Sequence, residues 1–337
     1  MDIEQSGQDA ATCEALMRGG SRSFFAASRA LPRDLREAAG ALYAWCRVAD
    51  DAIDGSARPR QALEDLTRRL DAIYAGQAIN DPVDRAFAGV VERHQLPRAL
   101  PEALLEGFAW DAEGRRYADL DALSAYAARV AGTVGAMMTV IMGCRAEPVL
   151  ARACDLGVAM QYTNIARDVG EDARAGRLYL PVAWLNEAGI DPDAWLRAPV
   201  FDARLAGVVQ RLLAEADLLY DRSSAGIGRL PRGCQPSIHA ARLLYSEIGR
   251  ELERKGLDSV GQRAIVPRAR KAWLLARALV APLLPTAELR APPLETTRFL
   301  VEAAARAEAR IAAEPTLDWV LELFERLERR DRSGAVT

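Results

Sequence analysis

Apolar residues recur at helical spacing along almost the whole chain, and the breaks between periodic stretches are short and carry Pro or Gly. Gly55-Ser56-Ala57-Arg58-Pro59, Asn80-Asp81-Pro82 and Gly189-Ile190-Asp191-Pro192 are examples. Few runs alternate with the period of two that a strand requires, and Ala, Leu and Arg, all good helix formers, dominate. Such a chain is restricted to helices packed on helices. The spacing predicts helices over Pro32–Asp54, Leu63–Tyr74, Pro82–Gln95, Asp119–Gly143 and Pro148–Asp172. It predicts further ones over Ala203–Gly228, Pro236–Gly256, Pro267–Leu284, Thr297–Ala313 and Thr316–Arg330.

With 337 residues, half of them hydrophobic, the chain can bury a large core, and length alone leans towards two domains. No stretch reads as a linker between two cores, so a single all-α domain over 1–337 is expected. The formal charge of −3 and the absence of a polybasic field argue against nucleic acid as a partner. Met1 to Ala11 is acidic and polar, unlike a signal or transit peptide. The longest apolar run, Val134 to Gly143, falls short of the roughly 20 residues that cross a bilayer. Cys13, Cys46, Cys144, Cys154 and Cys234 are scattered and form no CxxC pair, which fits free thiols in a reducing compartment. The expectation is a soluble cytoplasmic protein that at most lies on the inner face of a membrane.

The chemistry-bearing pattern is acidic. Asp50 and Asp54, four apart in Arg47-Val48-Ala49-Asp50-Asp51-Ala52-Ile53-Asp54, project from one helix face, where like charges repel. With 47 acids in the chain, chance supplies about seven pairs at that spacing, so this pair alone also fits a solvated helix end. The second cluster is more telling. Asn164, Asp168 and Asp172 repeat every four residues, Gln161 stands seven before Asp168, and the preceding Leu156-Gly157-Val158-Ala159-Met160 is apolar. A polar stripe on a helix that otherwise looks buried must find its partners inside the fold. Hard oxygen donors of this kind suit Mg²⁺ or Mn²⁺ bridged to substrate phosphates. Two such helices facing each other can clamp a diphosphate and ease its departure. His94 and His239 are isolated, which leaves little for a zinc or nucleophile–base reading.

Around these clusters the chain resembles the squalene/phytoene synthase family, from about Cys13 to about Ala272. Gly20-Ser21-Arg22-Ser23-Phe24, a substrate-side loop in the resemblance, comes first. The stretch Leu42-Tyr43-Ala44-Trp45-Cys46-Arg47 follows, leading into the first aspartates. Tyr126, Val130-Ala131-Gly132-Thr133-Val134-Gly135, the stretch Asn164 to Asp172, Gly176-Arg177-Leu178-Tyr179-Leu180-Pro181, Tyr245 and Arg263 stand in the family's order. The resemblance implies the class I isoprenoid-synthase fold, a helical bundle around a central cavity, within an all-α chain. It implies head-to-head (1′–1) condensation of two prenyl diphosphates. Within the family the bacterial phytoene synthases are the nearer match, which points to geranylgeranyl diphosphate, prephytoene diphosphate as intermediate, and the first committed step of carotenoid biosynthesis. Neither NADPH nor NADH is expected, and the ATP that some relatives require has no P-loop here to receive it.

By the same resemblance Asp50, Asp54, Asp168 and Asp172, with Asn164, hold the metals. Ser21, Arg22, Arg47, Arg167 and Arg263 hold diphosphate. Tyr43, Tyr126, Gln161, Tyr179 and Tyr245 line the reaction chamber, with Tyr126 and Tyr245 closest to catalysis. Gln262 stands before Arg263 where relatives often carry a second arginine. Ser28 and Gly40 are small where the thirty-carbon-producing relatives look bulky, which leaves room for twenty-carbon tails. The small-residue run Val130 to Met142 fits either a cavity wall or ordinary helix packing. Oily substrate and product imply peripheral membrane contact, and a pathway setting implies contact with downstream carotenoid enzymes. Two other readings stand beside this one: a squalene or dehydrosqualene synthase using farnesyl diphosphate, and a non-catalytic assembly factor of the same family. The second should have lost metal-binding acids, and both motifs are complete.

Overall fold

The structure, a computed structural model, describes residues 3–283, 288–289 and 291–311, with side chains from residue 5 to residue 306 within those limits. Among the described residues there are helices and turns and no strand. In order they are α1 (Ile3–Gly20), α2 (Arg22–Ser28), α3 (Arg33–Asp54), α4 (Pro59–Tyr74), α5 (Pro82–His94), α6 (Ala99–Ala112) and α7 (Leu120–Ala127). Then come α8 (Thr133–Ile141), α9 (Glu147–Arg174), α10 (Val182–Glu187), α11 (Pro192–Arg197), α12 (Ala203–Ile227), α13 (Gln235–Arg254), α14 (Arg268–Val280) and α15 (Arg298–Ile311). The expected segment Thr316–Arg330, and the end of Thr297–Ala313, lie outside the described residues.

Differences from the periodic reading have physical causes. Helix α6 is buried nearly all round, at Leu100, Pro101, Ala103, Leu104, Leu105, Gly107 and Phe108, so it shows no one-sided stripe. Helices α10 and α11 have six residues each, too few for a period to register. The expected helix Asp119–Gly143 is broken by a π-helical turn, Ala128–Gly132, which begins two residues after Tyr126. The expected loop at Gly20–Phe24 is the junction of α1 and α2, where the Ser21 hydroxyl caps α2 by accepting the Phe24 N–H at 3.3 Å.

Helix α9 runs through the middle. Its first turns, at Leu150, Ala151 and Cys154, join the apolar cluster made with α3, α4, α5, α6 and α8. From Leu156 to Ala173 it joins the cluster made with α7, α12 and α13. Its neighbours sit very close: a β-carbon added at Gly157 would stand 2.3 Å from the Ala131 carbonyl oxygen, and one at Gly135 would stand 2.3 Å from that of Ala153. The small residues at these two positions are therefore explained by helix packing. Helix α3 is pinned by a buried stripe, Ala38, Ala41, Leu42, Trp45, Ala49 and Ile53, with Trp45 stacked on Phe87 of α5 at 4.6 Å between ring centres. Each large side chain so buried stabilises by roughly 1.5–3 kcal/mol. No helix among the described residues is long and apolar enough to cross a membrane.

Candidate active site

One step round α3 from its buried stripe, about 100° on, stand Tyr43, Arg47, Asp50 and Asp54 at intervals of four, three and four. Helix α9 repeats the device nearly turn for turn with Gln161, Asn164, Asp168 and Asp172. Both rows end at a helix C-terminus, since α3 stops at Asp54 and α9 at Arg174. The helix dipole is negative there, so each carboxylate pair sits where the backbone itself disfavours anions. Burial, and then the Asp54 charge, lift the Asp50 carboxyl to about 6. Burial, and then Asp168, lift Asp172 to about 7.

Arginines offset part of this charge. The Arg47 guanidinium donates to Asp51 at 3.0 Å and stands 3.5 Å from Asp50. Arg167 donates to its neighbour Asp168 at 2.8 Å from Nε and by a second bond from its terminal nitrogen. Arg263 reaches the same carboxylate from the loop after α13, with Nε 3.1 Å from Asp168 and a terminal nitrogen 3.0 Å from Glu171. That loop is seated on α9 by the Gly170 N–H, which donates to the Ser259 carbonyl at 2.9 Å. Arg22 is exposed at the first turn of α2, and among the described residues no ion pair joins it to these acids.

Arg177, just beyond α9, closes the gap between the two rows. Its guanidinium donates to both Asp54 oxygens, at 2.5 and 3.3 Å. Below it lies a group that spacing alone did not indicate. Asp111, at the end of α6, accepts the Tyr126 hydroxyl at 2.9 Å and the Tyr179 hydroxyl at 2.7 Å. Burial raises the Asp111 carboxyl to about 6, with the two phenols and Arg177 pulling the other way. The rings of Tyr117, Tyr126 and Tyr179 pack on one another at 5.0–6.2 Å. Burial holds the Tyr126 phenol protonated far beyond its ordinary range. A second aromatic group joins α2, α3 and α13, with Phe24 lying 6.2 Å from Tyr43 and 5.0 Å from Tyr245. Ser21 stands beside the Tyr245 hydroxyl, and burial lifts that phenol to about 12.

The structure thus gathers Tyr43, Arg47, Asp50 and Asp54 on one helix, and Gln161, Asn164, Arg167, Asp168 and Asp172 on another, with Tyr126, Tyr179 and Arg263 against them. The Asn164 amide donates to the Gln161 carbonyl oxygen at 3.4 Å. Among the described residues no three Asp, Glu, His or Cys side chains converge on one point as a closed metal cage does. The acids form two open pairs, a geometry that leaves coordination positions for phosphate oxygens and water. Ser28 is buried, its hydroxyl donating to the Phe25 carbonyl at 2.9 Å. Gly40 is also buried, yet a β-carbon there would meet no atom within 4 Å, so the interior beside it is open. Asp111 and Arg177 are the site residues that motif spacing missed. A lone aspartate in Trp110-Asp111-Ala112 carries no periodic signal, and Arg177 was visible only as part of a motif.

An all-helical bundle with two acid-tipped rows linked through Arg177 and Asp54, beside packed aromatic rings, defines a class, the isoprenoid synthases that handle diphosphates. The profile of the squalene/phytoene synthase family matches residues 17–277, and the chain belongs to that family. It is 50% identical to a phytoene synthase of Cereibacter sphaeroides, across 96% of this chain and 95% of that one. It is 51% identical to a phytoene synthase of Rhodobacter capsulatus, across 88% of this chain and 90% of the relative. Among solved structures it is similar to a dehydrosqualene synthase in complex with ligand, with a TM-score of 0.75 and 30% identity across 82% of this chain and 97% of the other. It is also similar to a squalene synthase of Alicyclobacillus acidocaldarius, with a TM-score of 0.69 and 26% identity across 76% and 97%.

Proposed function

We propose that this chain condenses two molecules of geranylgeranyl diphosphate head to head (1′–1), through prephytoene diphosphate, to phytoene. The observation that carries the reading is the pair of matched polar rows on α3 and α9, joined by Arg177 across Asp54 and standing over two groups of aromatic rings. The relatives at about half identity over nearly the whole chain support the choice of product. A second reading, condensation of farnesyl diphosphate, is favoured by the likeness to a solved dehydrosqualene synthase. The open space at buried Gly40 favours the longer substrate.

Mg²⁺ or Mn²⁺ fits the residues present. The donors are hard oxygens, they stand at two negative helix ends, and two of the carboxyls are lifted towards neutrality by crowding and burial. Asp50 and Asp54 would hold one share, and Asn164, Asp168 and Asp172 the other. Such ions, when bound, neutralise the charge that grows on a departing diphosphate.

The protein's own part is positioning. Arg47, Arg167 and Arg263, now bonded to carboxylates, have the planar fork that takes phosphate oxygens in pairs. The faces of Tyr43, Phe24, Tyr245, Tyr126 and Tyr179 attract an allylic cation through their ring quadrupoles. Asp111 fixes two of those rings by their hydroxyls, so the rings present a constant surface through both ionisations. The apolar surroundings keep out water that would quench the cation. The reading treats the chain as one domain, because α9 belongs to both large apolar clusters. Prephytoene diphosphate supplied alone tests the single-chamber claim. Purified protein should turn it into phytoene, and Asp50→Asn and Asp172→Asn should each lose both this step and the first condensation. A variant that loses one step and keeps the other at full rate would contradict a shared chamber.

A further inference from the structure

We propose that the outer face of α14 and the turn after it form a docking surface for an anionic lipid bilayer. The proposal rests on the reading above, in which substrate and product are both oily. Trp273, Ala276 and Val280, spaced three and four apart, point away from Leu274 and Ala278, which face the core. Leu279 and Leu283 extend the same arc. These are among the most exposed large apolar side chains of the described residues: Leu283 at 83%, Leu279 at 63%, Val280 at 54% and Trp273 at 49%. A contiguous apolar strip left in water marks an interaction surface.

Charge identifies the partner. The segment 268–283 carries Arg268, Arg270, Lys271 and Arg277 and no acid. Among the described residues only Arg270 of these four is drawn into an ion pair, with buried Glu247 at 3.0 Å. Arg270 and Arg277 lie over the Trp273 ring, at 4.5 and 5.6 Å from its centre. On the helical wheel Arg277 borders one side of the apolar arc and Arg268 the other. An apolar strip edged by arginines, with a tryptophan along the Arg277 edge, is a pattern that beds at the headgroup level of anionic membranes. A second copy of the face would bring two uncompensated cationic edges together, which disfavours a dimer here.

The position of α14 gives the surface a use. The loop leading into it carries Arg263, which is bonded to Asp168 of the site, and two residues later Ile265 at 67% exposure. The start of α14 is thus five residues along the chain from an arginine of the diphosphate site, which ties the docking face to the site through one short loop.

The test is flotation of the full chain with vesicles of phosphatidylglycerol and phosphatidylcholine in equal parts, against phosphatidylcholine alone. The wild type should float with the first and far less with the second. Arg268→Gln/Arg277→Gln should weaken binding about 25-fold, at roughly a factor of five per surface charge. Leu279→Ser/Leu283→Ser should weaken it about tenfold or more. Both variants should keep the wild-type rate on substrate dispersed in detergent, which separates failure of docking from failure of the reaction. A photo-crosslinking residue in place of Leu279 should capture lipid. Equal binding by wild type and variants, or capture of residues 312–337 or of a second copy instead of lipid, would overturn the proposal.

Discussion

At the scale of single residues, Asp111 is the most informative. Two tyrosine hydroxyls converge on its carboxylate, and each bond to an ionised acceptor is worth about 1.5–3 kcal/mol. Asp111→Asn keeps the shape and weakens both bonds, so kcat should fall by roughly thirtyfold, about 2 kcal/mol, with far-ultraviolet circular dichroism unchanged. Stopped-time assays of kcat and KM check this, and an unaltered kcat would remove Asp111 from the chemistry. Gly40 tests chain length. Because a β-carbon at Gly40 would meet no atom within 4 Å, a side chain can begin there, and Gly40→Trp and Ser28→Phe should each move the preference from geranylgeranyl to farnesyl diphosphate by about tenfold in kcat/KM. No change in preference in either variant would detach these positions from substrate length. The aspartates and chamber tyrosines were legible in the sequence because ordered motifs mark them. Asp111 was not, because its role arises only when α6 is brought against Tyr126 and Tyr179, which are 15 and 68 residues away in the chain.

At the scale of elements, two helix ends carry the uncompensated charge. Asp50, Asp111 and Asp172 are all held above the ordinary aspartate value, to about 6, 6 and 7. Raised carboxyl groups bind protons more tightly folded than unfolded, so they favour the fold most at low pH, and that contribution is lost as pH rises through 6 to 7. The Asp50 side chain is 41% exposed, so solvent screens part of its share. Metal-free protein should therefore lose stability between about pH 5 and pH 8. Asp172→Asn should flatten the trend and raise the metal-free Tm at pH 8 by roughly 2–4 °C. Added Mg²⁺ should restore the wild type more at pH 8 than at pH 5, since it binds the deprotonated pair. Thermal scans in chelator and in Mg²⁺ decide this, and a Tm that climbs with pH in chelator would contradict it. Helix contacts make a separate prediction. Gly157→Ala gains about 1 kcal/mol of helix propensity but drives a methyl into the Ala131 carbonyl, where overpacking costs about 1–3 kcal/mol and the obstacle is rigid backbone. The variant should lower Tm, and a rise would show that the π-helical turn and α9 can part freely.

At the scale of the molecule, periodicity and Pro/Gly punctuation were enough to state an all-α chain, and long amphipathic helices such as α3, α12 and α13 appear close to where spacing places them. What escaped was the buried and the brief. After its first residue, helix α6 exposes only the narrow strip of Glu102 and Glu106 between buried neighbours, and α10 and α11 have just six residues each. The π-helical turn after Tyr126 has no signature in hydropathy at all, since one extra residue in a turn leaves composition unchanged. Which side chains meet across helices is likewise a property of packing, and Arg177 on Asp54 is the clearest case, at 123 residues of separation.

The measurement that bears most directly on the account is product analysis after purified protein is incubated with geranylgeranyl diphosphate and Mg²⁺ or Mn²⁺, with no NADPH, beside a parallel incubation with farnesyl diphosphate. Phytoene from the first, with little hydrocarbon from the second and none in chelator, is the result expected of two metal-carrying aspartate pairs over an aromatic interior left open beside Gly40. Hydrocarbon from farnesyl diphosphate in preference, or no hydrocarbon from either substrate, would contradict it.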